Sequence, residues 1–292
     1  MLVNVNQNYR TRLASITISL LAIVGFEIWN IDSIRTQLFI FGALLLLTGV
    51  PHGAIDPAVA KKAGLCGGDH GLLRFTFIYL TLTLLLIGFW IILPNIFLIT
   101  MLTLSVWHFS EDWFPYFPRQ LSLAISVAVI TLPSLFYPRE VFEIFRLIAP
   151  LTTTDLVNAL ALLSIISSCL VILYCIKRHL LSSLMIWQII ILFSSSSILP
   201  PILYFTLYFC IHHSPLHLSR SLSEIGLSEM LIHAISFSAL TLAGGWVLFF
   251  SLPSILLEQR LLQVFFVGLF SLTVPHMILI WYVGEKKGFT YD

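Results

Sequence analysis

The chain reads as long apolar runs separated by short polar breaks. The runs cover residues 13–29, 37–53, 72–93, 95–110, 121–137, 156–176, 184–199, 201–218, 231–252 and 261–283. A helix needs about 20 mostly apolar residues to cross a bilayer, down to about 17 at the short end of the range. Each run fits that length or falls a little short of it. Runs of this kind predict helices, because the strands of a membrane barrel show short alternating segments instead. The expectation is an all-α fold: one integral-membrane domain over residues 1–292, a polytopic bundle of about 8–10 transmembrane helices. Pro94 and the pair Pro200-Pro201 fall at sharp connections, where a missing N–H does little harm. The run from Leu13 lacks a small-residue cleavage signature and is read as a retained first helix. Gly53, Gly244, Gly245 and Gly268 are candidates for close helix packing.

Composition agrees with the pattern. Hydrophobic residues make up 58% of the 292 and charged residues only 10%, against roughly 25% charged in an average soluble protein. A soluble fold and a disordered chain are both excluded. The net charge of +1 gives no basic field for a nucleic acid. The four cysteines, Cys66, Cys169, Cys175 and Cys210, form no C-x-x-C pair, and three lie inside apolar runs as small hydrophobes. With ten spans and an inner N-terminus, eleven of the fifteen Lys and Arg residues fall on the inner side. Arg35, Arg139, Arg146 and Arg260 fall outside. That bias predicts a multi-pass protein of the cell membrane with both termini cytoplasmic.

The nine histidines are unevenly placed. His52 ends the second run, His108 the fourth, and His212, His213 and His217 the eighth, while His276 lies inside the tenth. In the ten-span topology these four runs point the same way, so their histidines share one depth near the inner leaflet. Ionisable side chains inside a membrane are costly and usually mark a function. Imidazole is the commonest metal ligand, and His213 and His217 are one helical turn apart on one face. His52, His108, His213 and His217 are therefore the expected metal and catalytic ligands. Imidazole ligation suits iron, zinc, copper or nickel alike. His212 is a rival for its neighbour's place, but His213 has the i,i+4 partner. His70, His179 and His233 lie beside loops and read as structural or solvated.

Asp56 follows His52 by four residues, and Glu111 and Asp112 follow His108 by three and four. Such spacings suit carboxylates that hydrogen-bond the far nitrogen of a metal-bound ring. His276 is a supporting site residue in the same sense. Trp107, Phe109, Tyr204, Tyr208 and Trp281 crowd the same layer and are the expected walls of an apolar substrate pocket.

Four motifs carry a family resemblance. Gly49-Val50-Pro51-His52-Gly53-Ala54-Ile55-Asp56, Trp107-His108-Phe109-Ser110-Glu111-Asp112, His213-Ser214-Pro215-Leu216-His217 and Pro275-His276-Met277 resemble the Brp/Blh family of bacterial and archaeal membrane β-carotene 15,15'-dioxygenases. The resemblance spans nearly the whole chain in order and spacing. It implies cleavage of the central double bond of β-carotene by O2 to give two retinals. It implies a non-haem Fe(2+) held by His52, His108, His213 and His217, with His276 as a further site histidine. It also implies a functional link to a microbial rhodopsin, whose chromophore is retinal. Leu216 departs from the pattern, which has an Arg before its last histidine. Two other readings compete: a diiron desaturase or hydroxylase, and a bis-histidine haem carrier or transporter. The first usually needs about eight ligands in several H-x-x-x-H and H-x-x-H-H boxes; this chain has one H-x-x-x-H.

Overall fold

The structure is a computed structural model that describes residues 5–178, 183–252 and 256–286. His179, Lys287 and the side chain of Lys286, the two lysines being among the eleven inner charges counted above, lie outside what is described. Helices α1 (Val5–Trp29) and α2 (Ile34–Leu44) lead into a π-helical segment, Leu45–Gly49. Two short helices follow, α3 (Val50–Ala54) and α4 (Asp56–Lys62). Next come α5 (Gly71–Ile92), α6 (Pro94–Ser110), α7 (Arg119–Phe136), α8 (Pro138–Ile148), α9 (Thr154–Lys177) and α10 (Leu184–Ile198). The C-terminal part holds α11 (Pro201–Thr206), a second π-helical segment (Leu207–His213), α12 (Ser214–Ile225), α13 (Leu227–Ser251) and α14 (Leu257–Lys286). No strand occurs among the described residues.

Every apolar run becomes helix, and local signals set the boundaries. Pro94, Pro138 and Pro201 each occupy the first turn of a helix, where their missing N–H is no loss. Thr153 and Ser183 cap α9 and α10 by accepting from the backbone N–H of Leu156 and Met185. Gly226 turns the chain between α12 and α13 at φ 90°, a conformation that favours glycine.

Among the described residues, seven helices are long and apolar enough to cross a membrane: 9–29, 34–62, 71–92, 119–136, 154–177, 227–251 and 257–284. The other three runs form shorter or broken helices. Run 95–110 gives the 17-residue α6, run 184–199 the 15-residue α10, and run 201–218 the joined α11, π segment and α12. Helix α8 lies where no run was read. Its 11 residues bury Val141, Ile144 and Ile148 while Arg139, Glu140, Glu143 and Arg146 stay outside. Such amphipathic character is invisible to a search for continuous apolar stretches.

Polarity is distributed for a lipid solvent. Leucines, isoleucines and phenylalanines of α5, α9 and α13 are exposed, and α13 buries only Ala234. Serines, glutamines and histidines lie inside. Helices α7 and α9 pack together along faces that bury Ser122, Ser126, Ala128, Ser164 and Ser167, small residues that let backbones approach. One continuous apolar core runs through Phe41, Phe97, Ile125, Tyr208 and Leu262.

The close approaches fall at other glycines than those anticipated. A Cβ at Gly53, Gly244 or Gly268 would meet nothing within 4 Å, whereas one at Gly49 would lie 2.8 Å from the Phe209 ring. A Cβ at Gly71 would lie 2.3 Å from the backbone carbonyl carbon of Cys66. No rotamer change relieves a clash with backbone. Gly71→Ala is therefore expected to cost about 1–3 kcal/mol, read as a lowered unfolding midpoint in detergent. A midpoint equal to the parent's would show that the turn before α5 moves freely.

Candidate metal centre

The five site histidines arrive on four helical stretches. His52 is on α3 behind the first π segment. His108 is at the end of α6. His213 ends the second π segment, and His217 follows one turn into α12. His276 is on α14. Both π segments precede site histidines, as such segments often do at functional sites. They are tied together: the Thr48 hydroxyl donates to the Cys210 carbonyl at 2.9 Å. The absent side chain at Gly49 lets the Phe209 ring lie against that join.

All five rings are buried, none more than 9% exposed. Ring centroids of adjacent pairs run from 4.6 Å for His213–His217 to 6.5 Å for His52–His108. His52 is 5.2 Å from His213, 4.8 Å from His217 and 4.7 Å from His276. Two rings bound to one ion by Zn-like nitrogen distances of about 2.0–2.1 Å would have centroids about 4.5–6.4 Å apart. The observed spread of 4.6–6.5 Å is close to that of rings gathered around one point. Three overlapping groups hold potential ligand atoms within 4.8 Å of one another: His52, His217 and His276; His52, His108 and His213; and Asp112, His213 and His217.

The carboxylates orient the rings, with partners different from those the spacing suggested. Asp56 does not serve His52. Both its oxygens accept from Nδ1 of His276, at 2.8 and 2.9 Å, and Oδ2 also accepts from the Tyr79 hydroxyl at 3.0 Å. Asp112 turns away from His108. Its Oδ2 accepts from His213 Nδ1 at 2.9 Å and from the Tyr208 hydroxyl at 3.0 Å, and its Oδ1 lies 3.6 Å from His217 Nε2. Sequence spacing assumed that the helix continues past each histidine. Instead the chain turns at Ile55 and at Glu111, so each carboxylate reaches across to another helix. Glu111 stays with its own histidine, 3.9 Å from His108 Nδ1, too far for a hydrogen bond.

A carboxylate on Nδ1 fixes the tautomer. The proton of His213 and of His276 sits on Nδ1, and the Nε2 lone pair is left free. Those two Nε2 atoms have no hydrogen-bond partner, nor do His52 Nδ1, His108 Nδ1, His217 Nε2 and Asp112 Oδ1. A buried polar atom left unpaired costs about 1–3 kcal/mol. Six of them together would approach the whole stability of a domain, about 5–15 kcal/mol. They fall in overlapping triads of ligand atoms within 4.8 Å of one another, a donor set that fits a metal ion.

His212 belongs elsewhere. Its Nε2 meets Ser19 Oγ at 2.8 Å and its Nδ1 meets Gln188 Nε2 at 2.7 Å. Both nitrogens are used outside the cluster. His233 bonds the Glu229 carbonyl within its own helix, and His70 is an exposed residue before α5. The four cysteines are free.

One side of the cluster opens into an apolar cavity enclosing about 1000 Å³ of empty space, part of it open to the surroundings. His108 forms one part of its wall, and Met101, Val129, Ile144, Phe205 and Phe266 are among the apolar residues around it. Phe109, Tyr204 and Tyr208 line it as expected. Trp107 and Trp281 do not: they are 40% and 51% exposed, and Trp107 lies under the Arg119 guanidinium at 4.8 Å. One residue along a helix is a turn of about 100°, so with His108 pointing inward Trp107 points out. Phe209, another aromatic residue of that layer, lines the cavity too and stacks on both His213 and Phe205. Tyr79 was missed; it is one residue among many in its apolar run.

A family model described as beta-carotene 15,15'-dioxygenase matches residues 43–282. The chain belongs to that family. A curated relative, the beta-carotene 15,15'-dioxygenase of Uncultured marine bacterium 66A03, is 30% identical over 259 residues, covering 82% of this chain and 92% of the relative. No solved structure matches it. The chain is thus a carotenoid dioxygenase of the membrane-helical type, and the desaturase and haem-carrier readings give way to it. All five site histidines fall within the matched residues.

The unequal geometry of the two neighbouring acids gives a prediction for this dioxygenase. Asp112→Asn should weaken metal binding by about 10–100-fold, followed by titration of the purified protein with Co(2+). Glu111→Gln should weaken it much less. Equal losses would mean that the acids act by charge alone and not by holding a ring.

Proposed function

We propose that this chain cleaves β-carotene with O2 at the central 15,15' double bond, releasing two retinals. The observation that carries the reading is a set of five buried histidines whose free nitrogens converge beside an apolar cavity. The metal would be Fe(2+), held by His52, His108, His213 and His217. His276 would be a fifth ligand, because Asp56 prepares its Nε2 in the same way that Asp112 prepares that of His213. When bound, the iron supplies the chemistry of O2 activation.

The remaining work belongs to the side chains. Asp112 and Asp56 keep His213 and His276 in the ligating tautomer. Phe109 and Phe209 pack on the His213 ring at 4.8 and 5.6 Å between centroids and fix its plane. The cavity walls exclude water and hold a rod-like polyene against the cluster, so that one bond is presented to it. Phe205 and Phe209, stacked at 5.5 Å with planes only 4° apart, offer a flat aromatic surface to such a rod. An apolar substrate partitions into the bilayer, so the protein would act within the cell membrane, with both termini cytoplasmic, and its product would serve a microbial rhodopsin.

The test is expression in a bacterium that accumulates β-carotene, with pigments separated by chromatography. The parent chain should bleach the cells and yield retinal. His52→Ala, His108→Ala, His213→Ala, His217→Ala and His276→Ala should each abolish retinal formation while the protein still inserts. Chelation should silence the purified enzyme, and Fe(2+) should restore it. β-Carotene persisting alongside folded, iron-replete parent protein would refute the assignment. His276→Ala with full metal content would return that residue to a supporting role.

A further inference from the structure

A buried polar network lies behind the metal centre and reaches it from the first helix. Arg12 is fully buried. Its Nη1 donates to Gln188 Oε1, and its Nη2 donates to the backbone carbonyl of Asp112 at 2.7 Å. The guanidinium lies over the rings of Tyr116 and Trp113, 4.7 and 5.5 Å from their centroids. Gln188 Nε2 meets His212 Nδ1 at 2.7 Å, and His212 Nε2 meets Ser19 Oγ at 2.8 Å. Ser19 in turn donates to the Ser15 carbonyl at 2.7 Å. The line from Ser19 through His212, Gln188 and Arg12 thus ends on the backbone of Asp112.

Burying a guanidinium is expensive unless its charge is well matched, so this arrangement is not a by-product of packing. Its two ends are informative. One holds the backbone of Asp112, whose carboxylate orients His213. The other holds the side chain of His212, next to His213 on the π segment. The network therefore grips both members of the Asp112–His213 pair from outside the cluster. Two of its four side chains, Arg12 and Ser19, precede the family match at residues 43–282.

We infer that Arg12 is a positioning residue for the metal centre, acting with Gln188, His212 and Ser19 to fix the distance between Asp112 and His213. The first helix is then part of the working site and not only a membrane anchor. A lysine cannot substitute fully, because a single ammonium does not present the planar fork that reaches Gln188 and the Asp112 carbonyl together. The inference rests on the metal reading proposed above.

The experiment uses the full-length protein in detergent, with Co(2+) as the probe and its visible d–d absorption as the readout of ligand geometry. The parent should bind one Co(2+) per chain. Arg12→Ala should weaken binding by about 10–100-fold and shift the visible band. Arg12→Lys should fall between the two. Thr17→Ala, which alters an exposed threonine of the same helix whose hydroxyl donates to the Leu13 carbonyl, should leave affinity and spectrum unchanged. If Arg12→Ala fails to accumulate, Arg12→Lys decides the question. Folded Arg12 variants with the parent's affinity and spectrum would overturn the inference and leave the metal reading standing. A parent chain that binds neither Co(2+) nor Fe(2+) would overturn the metal reading and this inference with it.

Discussion

Imidazole nitrogens and carboxylates buried in an apolar bundle must find partners, and much of this structure answers that requirement. Water is scarce in the interior of such a bundle, so an unpaired polar atom bears nearly its full desolvation cost. Asp56 and Asp112 meet the requirement on one side of the rings. Each accepts a histidine Nδ1 proton and a tyrosine hydroxyl, from Tyr79 and Tyr208 respectively. On the other side the freed nitrogens face one another across a few ångströms. That arrangement is unfavourable for neutral rings alone and favourable around a cation.

Backbone irregularity serves the same end. Regular helices would carry the histidines past each other at the wrong rotation. The π segments at Leu45–Gly49 and Leu207–His213 shift the phase of two helices at the site histidines: His52 follows the first, His213 ends the second and His217 follows it. The Thr48–Cys210 hydrogen bond and the close contact at Gly49 lock the two irregular stretches together. The positions of these histidines are thus set by a join between helices and not by a loop.

The cavity beside the cluster has an opposite character, and the two depend on each other. Its walls come from α6, α7, α8, α14 and the α11–π stretch, and they are mostly apolar. An apolar wall binds a polyene without specific hydrogen bonds, so position along the rod must come from shape. Tyr79 and Arg12, which hold Asp56 and Asp112 behind the cluster, are not among the residues that line this cavity, while Tyr208 both lines it and donates to Asp112.

The linear order of residues was enough to determine that the chain is a helical membrane bundle, because twenty-residue apolar runs have no other stable home. It also led to the expectation that His52, His108, His213 and His217 gather in one layer, and their rings do lie together. The four motifs pointed to the family. Pairing was beyond it. Asp56 sits four residues from His52 yet holds His276, and Asp112 sits four from His108 yet holds His213, because the chain turns between each acid and its sequence neighbour. Trp107 and Trp281 had the right chemistry for a pocket and the wrong helix face. Arg12 looked like one more positive charge at a membrane edge, and His212 like a spare ligand. Their shared network joins residues 12, 188 and 212, and only packing brings such distant positions together. Local rules see a helix and its neighbours a turn away; hydrogen bonds between helices depend on rotation and depth, which tertiary packing decides.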